Sequence, residues 1–243
     1  MNNVPALQRG LELIRAAAAG DYTVAQLESE SGIPKASFNR LIKCLSDNAF
    51  IKINEDSRKL SMGDDAVYLA MESYENSSLY QLGYPGVYDL GENFKATFVI
   101  HQYCAPDRIY WRVKHAPPNC IRTRPVGFYM NFFNNNAQGQ LFLSMMPKKE
   151  VKEYFASGEL IHGDHILDTY KKMKSRLEQI REQGFAYQER ENHPGMKQIA
   201  VPLKFPGDNG LYSLTCYLPL DYEDVAPVQD RMLYEAARIA GVE

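Results

Sequence analysis

Lys35, Ser37, Asn39, Arg40 and Lys43 fall at helical spacing on the side opposite Phe38, Leu41, Ile42 and Leu45. Two chemistries meet on that face: lysine and arginine pair with phosphate oxygens, and serine and asparagine exchange hydrogen bonds with base edges. Ala36 sits in the same first turn, Thr23 opens the preceding helix, and Arg58 and Lys59 follow a polar turn where they would touch a phosphate backbone. Together Thr23, Lys35, Ala36, Ser37, Asn39, Arg40, Lys43, Arg58 and Lys59 form a candidate surface for duplex DNA. Any solvated helix can carry such residues, and a winged helix that docks on a protein partner is the other reading; it predicts no salt-sensitive affinity for DNA.

Catalytic chemistry finds less support. His101 and Cys104 are three positions apart on an extended segment, so they point to opposite faces. Glu189 and Glu191 share a strand face and read as surface or structural carboxylates. No G-x-S-x-G, phosphate-binding loop or H-E-x-x-H occurs. Cys44, Cys104, Cys120 and Cys216 are scattered, without a C-x-x-C pair or a histidine at ligand spacing, and read as reduced core residues. The expectation is a chain that is not an enzyme and has no catalytic residue, metal or cofactor.

These residues need elements to position them. A chain of 243 residues with 45% apolar content accommodates one large domain or two unequal ones. Its net charge of −3 gives no global attraction to nucleic acid, so a local patch must supply it. Residues 1–62 hold eight Lys/Arg against seven Asp/Glu, the remainder 19 against 23, and the basic residues of the first part cluster after Gly32. No leader-like start and no apolar run near the ~20 residues of a membrane span is visible, which predicts a cytoplasmic protein with no membrane partner.

Pro5, then Leu7, Leu11, Ile14 and Ala18, then Gly20 predict a first amphipathic helix. Thr23-Val24-Ala25-Gln26 has the capping-box form and starts a second helix from Val24 to about Ser31. Gly32 is a left-handed stop, Ile33 plugs the junction, and Pro34 restarts the chain into the third helix. Ala49–Ile53 and Lys59–Met62, joined by the turn 54–58, predict a hairpin. Three helices followed by a hairpin make a winged helix-turn-helix.

The run Gly32-Ile33-Pro34-Lys35-Ala36-Ser37-Phe38-Asn39-Arg40-Leu41 is similar to the G-L-P-K-S-T-x-x-R-L turn of the IclR family of bacterial regulators, and Lys59-Leu60-Ser61-Met62-Gly63 resembles its Y-x-L-G wing exit. Arg181-Glu182-Gln183-Gly184-Phe185-Ala186 resembles R-x-x-G-[YF]-A, and Pro194 to Pro202 resembles P-G-x-x-C-x-A-x-P. The resemblance implies an α+β protein: a winged helix-turn-helix in residues 1–63, a linker helix in 64–77 with Val67, Leu69, Ala70 and Met71 at a dimer contact or in ordinary packing, and a GAF- or PAS-like antiparallel sheet domain with helices in 78–243. Within that last domain, helices are expected at Ser78 to about Asn93, Asn136–Met145, Ile166–Gln183 and from Asp224. Strands are expected at Ala96–Gln102, Arg108–Val113, Phe185–Arg190, Gln198–Phe205 and Leu211–Leu218.

The implied function is regulation of transcription, with repression preferred over activation. The implied partners are double-stranded operator DNA, a small organic effector that is a carboxylate or an aromatic compound, and further copies of the chain in a homodimer or tetramer. Counting along the family's pocket motif places Gln188, Gln198, Thr215 and Tyr217 at its polar positions, where an acid and a thiol become two amides and one hydroxyl gains a ring. A small keto acid is therefore not carried over. Asn134 and Asn135, with Asn136 and Gly139 after them, lie along one wall of the family's cavity, to bond an effector or to cap a helix. Met130 joins these effector candidates. Arg122-Thr123-Arg124 either faces the cavity or is solvated, Phe128, Tyr129, Phe132 and Phe133 read as core or as pocket wall, and Trp111 reads as packing.

Overall fold

The computed structural model describes residues 4–104, 108–131, 133–157, 159–163, 166–189 and 195–242. Phe132, Arg190, Glu191 and Pro194 lie outside the described residues. The chain forms two compact units that meet at Ser77 and Ser78.

In the first unit, Pro5 opens helix α1 (Pro5–Ala19), where its missing N–H costs nothing. The buried side of α1 is Gly10, Leu13 and Ala17, not the stripe read from the sequence: Leu7 and Leu11 are exposed at 61% and 44%. Both stripes have helical period, so spacing alone cannot choose between them. Helix α2 (Val24–Glu30) starts at Thr23, whose hydroxyl accepts from Gln26 N at 3.3 Å while Gln26 Oε1 accepts from Thr23 N at 2.9 Å. Thr23→Ala is expected to cost this unit about 1 kcal/mol, seen as a lower urea midpoint; an unchanged midpoint would mean the cap is dispensable.

Gly32 has φ of 64°, a left-handed value that a β-carbon disfavours, and it turns the chain sharply so that Ile33 enters the core. Helix α3 (Lys35–Asp47) follows, with Phe38 and Ile42 buried. Strands β1 (Ile51–Ile53) and β2 (Leu60–Met62) pair antiparallel, shorter than expected because Ala49 has φ of 53° and leaves the strand conformation. Leu13, Ala17, Leu27, Ile33, Phe38, Ile42, Ile51 and Leu60 make one core. Helix α4 (Asp64–Glu75) buries none of its own residues: Val67, Leu69 and Met71 are each about half exposed, at 50%, 52% and 48%.

The second unit opens with α5 (Ser78–Phe94) and continues through β3 (Thr97–Cys104), β4 (Arg108–His115) and β5 (Tyr129–Met130). Helices α6 (Ala137–Met145), α7 (Lys148–Ser157) and α8 (Tyr170–Gln183) come next, then β6 (Ala186–Glu189), β7 (Met196–Leu203), β8 (Leu211–Pro219) and α9 (Ala226–Ala240). Neither β5 nor α7 was anticipated, and α8 starts later than Ile166 because Thr169 caps it, accepting from Lys172 N. The six strands form one antiparallel sheet in the order β5-β4-β3-β8-β7-β6, so the α+β expectation holds.

Alternation along the strands divides the sheet into two faces. Phe98, Ile100, Ile199, Val201, Leu214 and Cys216 pack under α5 and α9 in an apolar core. The opposite face packs Val99, Ile109, Trp111 and Tyr217 against Phe142, Leu143, Met173 and Leu177 of α6 and α8. That second face also buries Thr97, His101, Gln188, Gln198, Ser213 and Thr215. Polar groups so placed need partners, which makes this face the place to look for function.

Candidate functional site

On the first unit, Lys35, Ala36, Asn39, Arg40 and Lys43 are all exposed on α3, and Ser37 is half-buried. Lys35 Nζ lies 3.4 Å from Glu28 and Lys43 Nζ 3.4 Å from Asp47, while an Arg40 guanidinium nitrogen is 3.5 Å from Ser37 Oγ. Such exposed pairs are weak and exchange readily for another anion. The hairpin tip is held by Asn54, whose Oδ1 accepts from Asp56 N and Ser57 N, and Arg58 and Lys59 stand exposed beyond it. Thr23 meets the hairpin through its backbone, bridging Lys59, while Val24 N donates to Arg58 O at 3.1 Å. Its hydroxyl is engaged with Gln26, so among the candidates Thr23 positions its neighbours.

On the second unit the antiparallel register lines up three of the predicted residues. Gln188 pairs with Gln198, Gln198 with Tyr217, and Tyr217 with Thr97, so a row of polar side chains crosses β6, β7, β8 and β3. Thr215 lies two residues along β8 from Tyr217 and therefore on the same face. Helix α6 covers this row. Gln198 Oε1 accepts from Ala137 N at 3.1 Å and Asn136 Oδ1 from Gly139 N at 2.7 Å, so Asn136 takes the capping role. Gly139 is glycine because a β-carbon there would run into the backbone of Phe133. Met130 is buried beside Asn136, its sulfur 3.8 Å from Asn136 Nδ2.

Sequence reasoning missed the centre of the cluster. Gln138 Nε2 donates to Tyr217 OH at 3.3 Å, the Tyr217 hydroxyl lies 3.3 Å from His101 Nε2, and His101 Nδ1 lies 3.2 Å from Thr215 Oγ1. With Tyr217 accepting from Gln138, its own O–H donates to Nε2, and the imidazole proton sits on Nδ1, donating to Thr215. Burial pushes the His101 pKa down to about 3 and pushes the Tyr217 phenol up, so both are neutral near pH 7. The missed signal was alternation: His101 is two residues from Val99, on the inner face of β3. Trp111 packs on the His101 ring at 4.6 Å, edge to face.

Other candidates go elsewhere. Asn134 spends its amide on a loop, donating to Ile161 O at 2.7 Å and accepting from Ile161 N at 3.1 Å, and Asn135 accepts from Asn136 Nδ2. Arg122 and Arg124 are exposed; Arg122 lines a surface cleft of about 630 Å³ with Lys114, His115 and Cys120, and its neighbour Ile121 accepts from Thr97 Oγ1 at the β3 end of the row. The bulge between β3 and β4, which skips Arg112, and the turn at Gly127 carry that segment to the outside. Phe133 is core, Phe128 is half-buried against Trp111, and Tyr129 is 45% exposed beneath Arg108. Among the described residues, no group of three or more His, Cys, Asp and Glu is placed to hold a metal. No helix of the described residues is long and apolar enough to cross a membrane.

Residues 115–212 match the family model for the bacterial transcriptional regulator IclR C-terminal domain. That segment, under half of the chain, is similar to the C-terminal domain of IclR-family transcriptional regulators. Among curated proteins no relative matches. Solved structures show the fold over the whole length. An IclR transcriptional regulator from Alicyclobacillus acidocaldarius is similar with a TM-score of 0.81 at 18% identity, covering 98% of each chain. The IclR of Thermotoga maritima has a TM-score of 0.77 at 16% identity over 97% of each chain. An IclR homolog from Microbacterium hydrocarbonoxydans, complexed with 4-hydroxybenzoate, has a TM-score of 0.82 at 14% identity, covering 97% of this chain and 98% of that one. The buried polar row and α6 both lie in the C-terminal unit, and all of α6 and β6 fall inside the matched segment.

Proposed function

We propose that this regulator represses transcription by binding operator DNA through its first unit, and that a small molecule bound in its second unit tunes that affinity. The observation that carries the DNA reading is the winged helix-turn-helix with Lys35, Asn39, Arg40 and Lys43 exposed on α3 and Arg58 and Lys59 exposed on the wing. Helix α3 enters the major groove and the wing contacts the backbone. The ligand reading is supported by the buried polar row under α6 and by the 4-hydroxybenzoate complex of the Microbacterium homolog. Two copies pair through apolar surface the single chain leaves uncovered, notably Val67, Leu69 and Met71 of α4, and so present two α3 helices to a near-palindromic site. Ligand and DNA are linked by a coupling of about 1–3 kcal/mol, which changes operator affinity roughly 5–150-fold and acts equally in both directions.

The test is fluorescence anisotropy of the purified protein with the intergenic DNA upstream of its own gene, at several salt concentrations, against a scrambled duplex. Tight, salt-dependent, competitor-resistant binding is expected; binding no tighter than to the scrambled duplex would favour the protein-docking reading of the winged helix. Arg40→Ala and Lys43→Ala sharpen it. A cation that meets phosphate should, on removal, weaken all sequences alike and flatten the salt slope by about one unit, whereas loss of a base contact should cost about 1–3 kcal/mol on the operator alone. Unchanged binding in both variants would remove α3 from the interface.

A further inference from the structure

Among the described residues, five buried polar side-chain atoms of the second unit have no hydrogen-bond partner; apart from Thr123 Oγ1, they belong to Gln188, Gln138 and Trp111, between the sheet and α6. Gln188, 2% exposed, has neither Oε1 nor Nε2 engaged; Gln138 has a free Oε1; Trp111 has a free Nε1. Gln188 faces Gln198 across the strands, Gln198 faces Tyr217, Gln138 donates to Tyr217, and Tyr217 leads through His101 to Trp111. Buried polar atoms in native proteins are nearly always paired, so the two free atoms of Gln188 on β6, with the free carbonyl of Gln138 on the helix that covers that strand, point to a ligand that completes them; Trp111, on β4, stands four strands away across the sheet.

The composition of this group specifies the ligand's chemistry. At the β6 end of the sheet it offers one donor, Gln188 Nε2, and two acceptors, Gln188 Oε1 and Gln138 Oε1. Gln188 presents donor and acceptor side by side, the pattern that pairs with another amide through two parallel hydrogen bonds. A carboxylate only accepts, and would meet two carbonyl oxygens. The charges that would hold an anion are spent or absent from the row. The amides of Ala137 and Gly139 at the start of α6 are taken by Gln198 and Asn136. Arg176 of α8 turns to Gln140 Oε1 and Tyr187 O, and Arg122 and Arg124 are on the surface. Ala137, Leu141, Ala186 and Ala200 supply the apolar surroundings at this end of the sheet.

We propose that the second unit's internal site selects a small, planar, uncharged molecule carrying a carboxamide, lactam or ureide edge, with Gln188 as the residue that recognises that edge. This rests on the reading that the unit binds a small molecule. Gln188 is then a specificity residue: the position that pairs with the ligand's amide and rejects the isosteric acid.

Trp111 is the sole tryptophan of the chain, buried on the same face of the sheet and linked to Gln138 through His101 and Tyr217, so its fluorescence is one readout of binding and calorimetric titration is the second, independent of that distance. The probes are the matched pairs 4-hydroxybenzamide with 4-hydroxybenzoate and nicotinamide with nicotinate, titrated at pH 7.5 into the full-length protein up to about 10 mM. At least one amide is expected to bind about tenfold or more tighter than its acid, since the site leaves a buried anion unpaired. Gln188→Met, which keeps the side-chain length, is expected to fold with a melting temperature no lower than the native chain and to lose that preference. An acid that binds as tightly as its amide overturns the ligand class while leaving small-molecule binding intact. Silence from every probe also overturns the class. A preference for the amide that survives Gln188→Met overturns the assignment of the site itself.

Discussion

The second unit is expected to be about 2 kcal/mol less stable at pH 5 than at pH 7, through His101 alone. The folded protein holds His101 neutral with a pKa of about 3, against 6.5 for the free side chain. Above pH 6.5 neither state takes up the proton and the buried ring costs nothing. Below it only the unfolded chain does, so stability is lost progressively as pH falls from about 6.5 toward 3. The slope in that window approaches 1.4 kcal/mol per pH unit. Asp168, with a pKa of about 2, Glu92 and Asp208 are all depressed by hydrogen-bonding partners, and their losses begin as pH falls into the ordinary carboxylate range, below about pH 5. The interval from pH 5 to 7 therefore isolates the imidazole among these groups. Urea unfolding followed by Trp111 fluorescence at both pH values measures it. His101→Gln keeps an amide in contact with Tyr217 and Thr215 but has no proton to gain. It should lower stability at pH 7 by about 1–3 kcal/mol and flatten the pH dependence; an equal slope in the variant would put the titrating group elsewhere.

Phe38→Ala should cost the first unit about 3–5 kcal/mol. Phe38 is fully buried at the centre of the core made by Leu13, Leu27, Ile42 and Leu60, and it holds α3 against the rest of its unit. A core this small leaves little reserve, so the loss is comparable with the unit's whole stability. Calorimetry should show the transition of the first unit collapse or vanish while the second, followed by Trp111 in near-ultraviolet circular dichroism, keeps its midpoint. Operator affinity should fall with the folded fraction. A native first transition with native DNA affinity would mean that Phe38 fills space the other core residues can close.

How far each element was legible follows from the range of the interaction that makes it. The capping box at Thr23, the left-handed turn at Gly32 and the core pair Phe38 and Ile42 depend on residues within one or two helical turns, and all three were visible as spacing and residue type. Gln188, Gln198, Thr215 and Tyr217 were found by counting along a motif, and strand register then placed them in one buried neighbourhood. Their charge balance was also readable: two amides, a hydroxyl and a phenol carry no charge near neutral pH. What spacing left open was which of two helical stripes on α1 is covered, since Leu7, Leu11 and Leu13 are equally apolar and only the surrounding core selects Leu13. Nor could it show His101 at the centre. That follows from β3 lying between β4 and β8, which sets Trp111 and Thr215, distant in sequence, on either side of one imidazole. The same packing excludes Arg122 and Arg124 and buries Gln188 without a partner among the described residues. The sequence alone determined the order of the elements and the chemistry available to them; the pairing of distant strands under α6 decided which of those groups meet, because burial and register are properties of the assembled sheet.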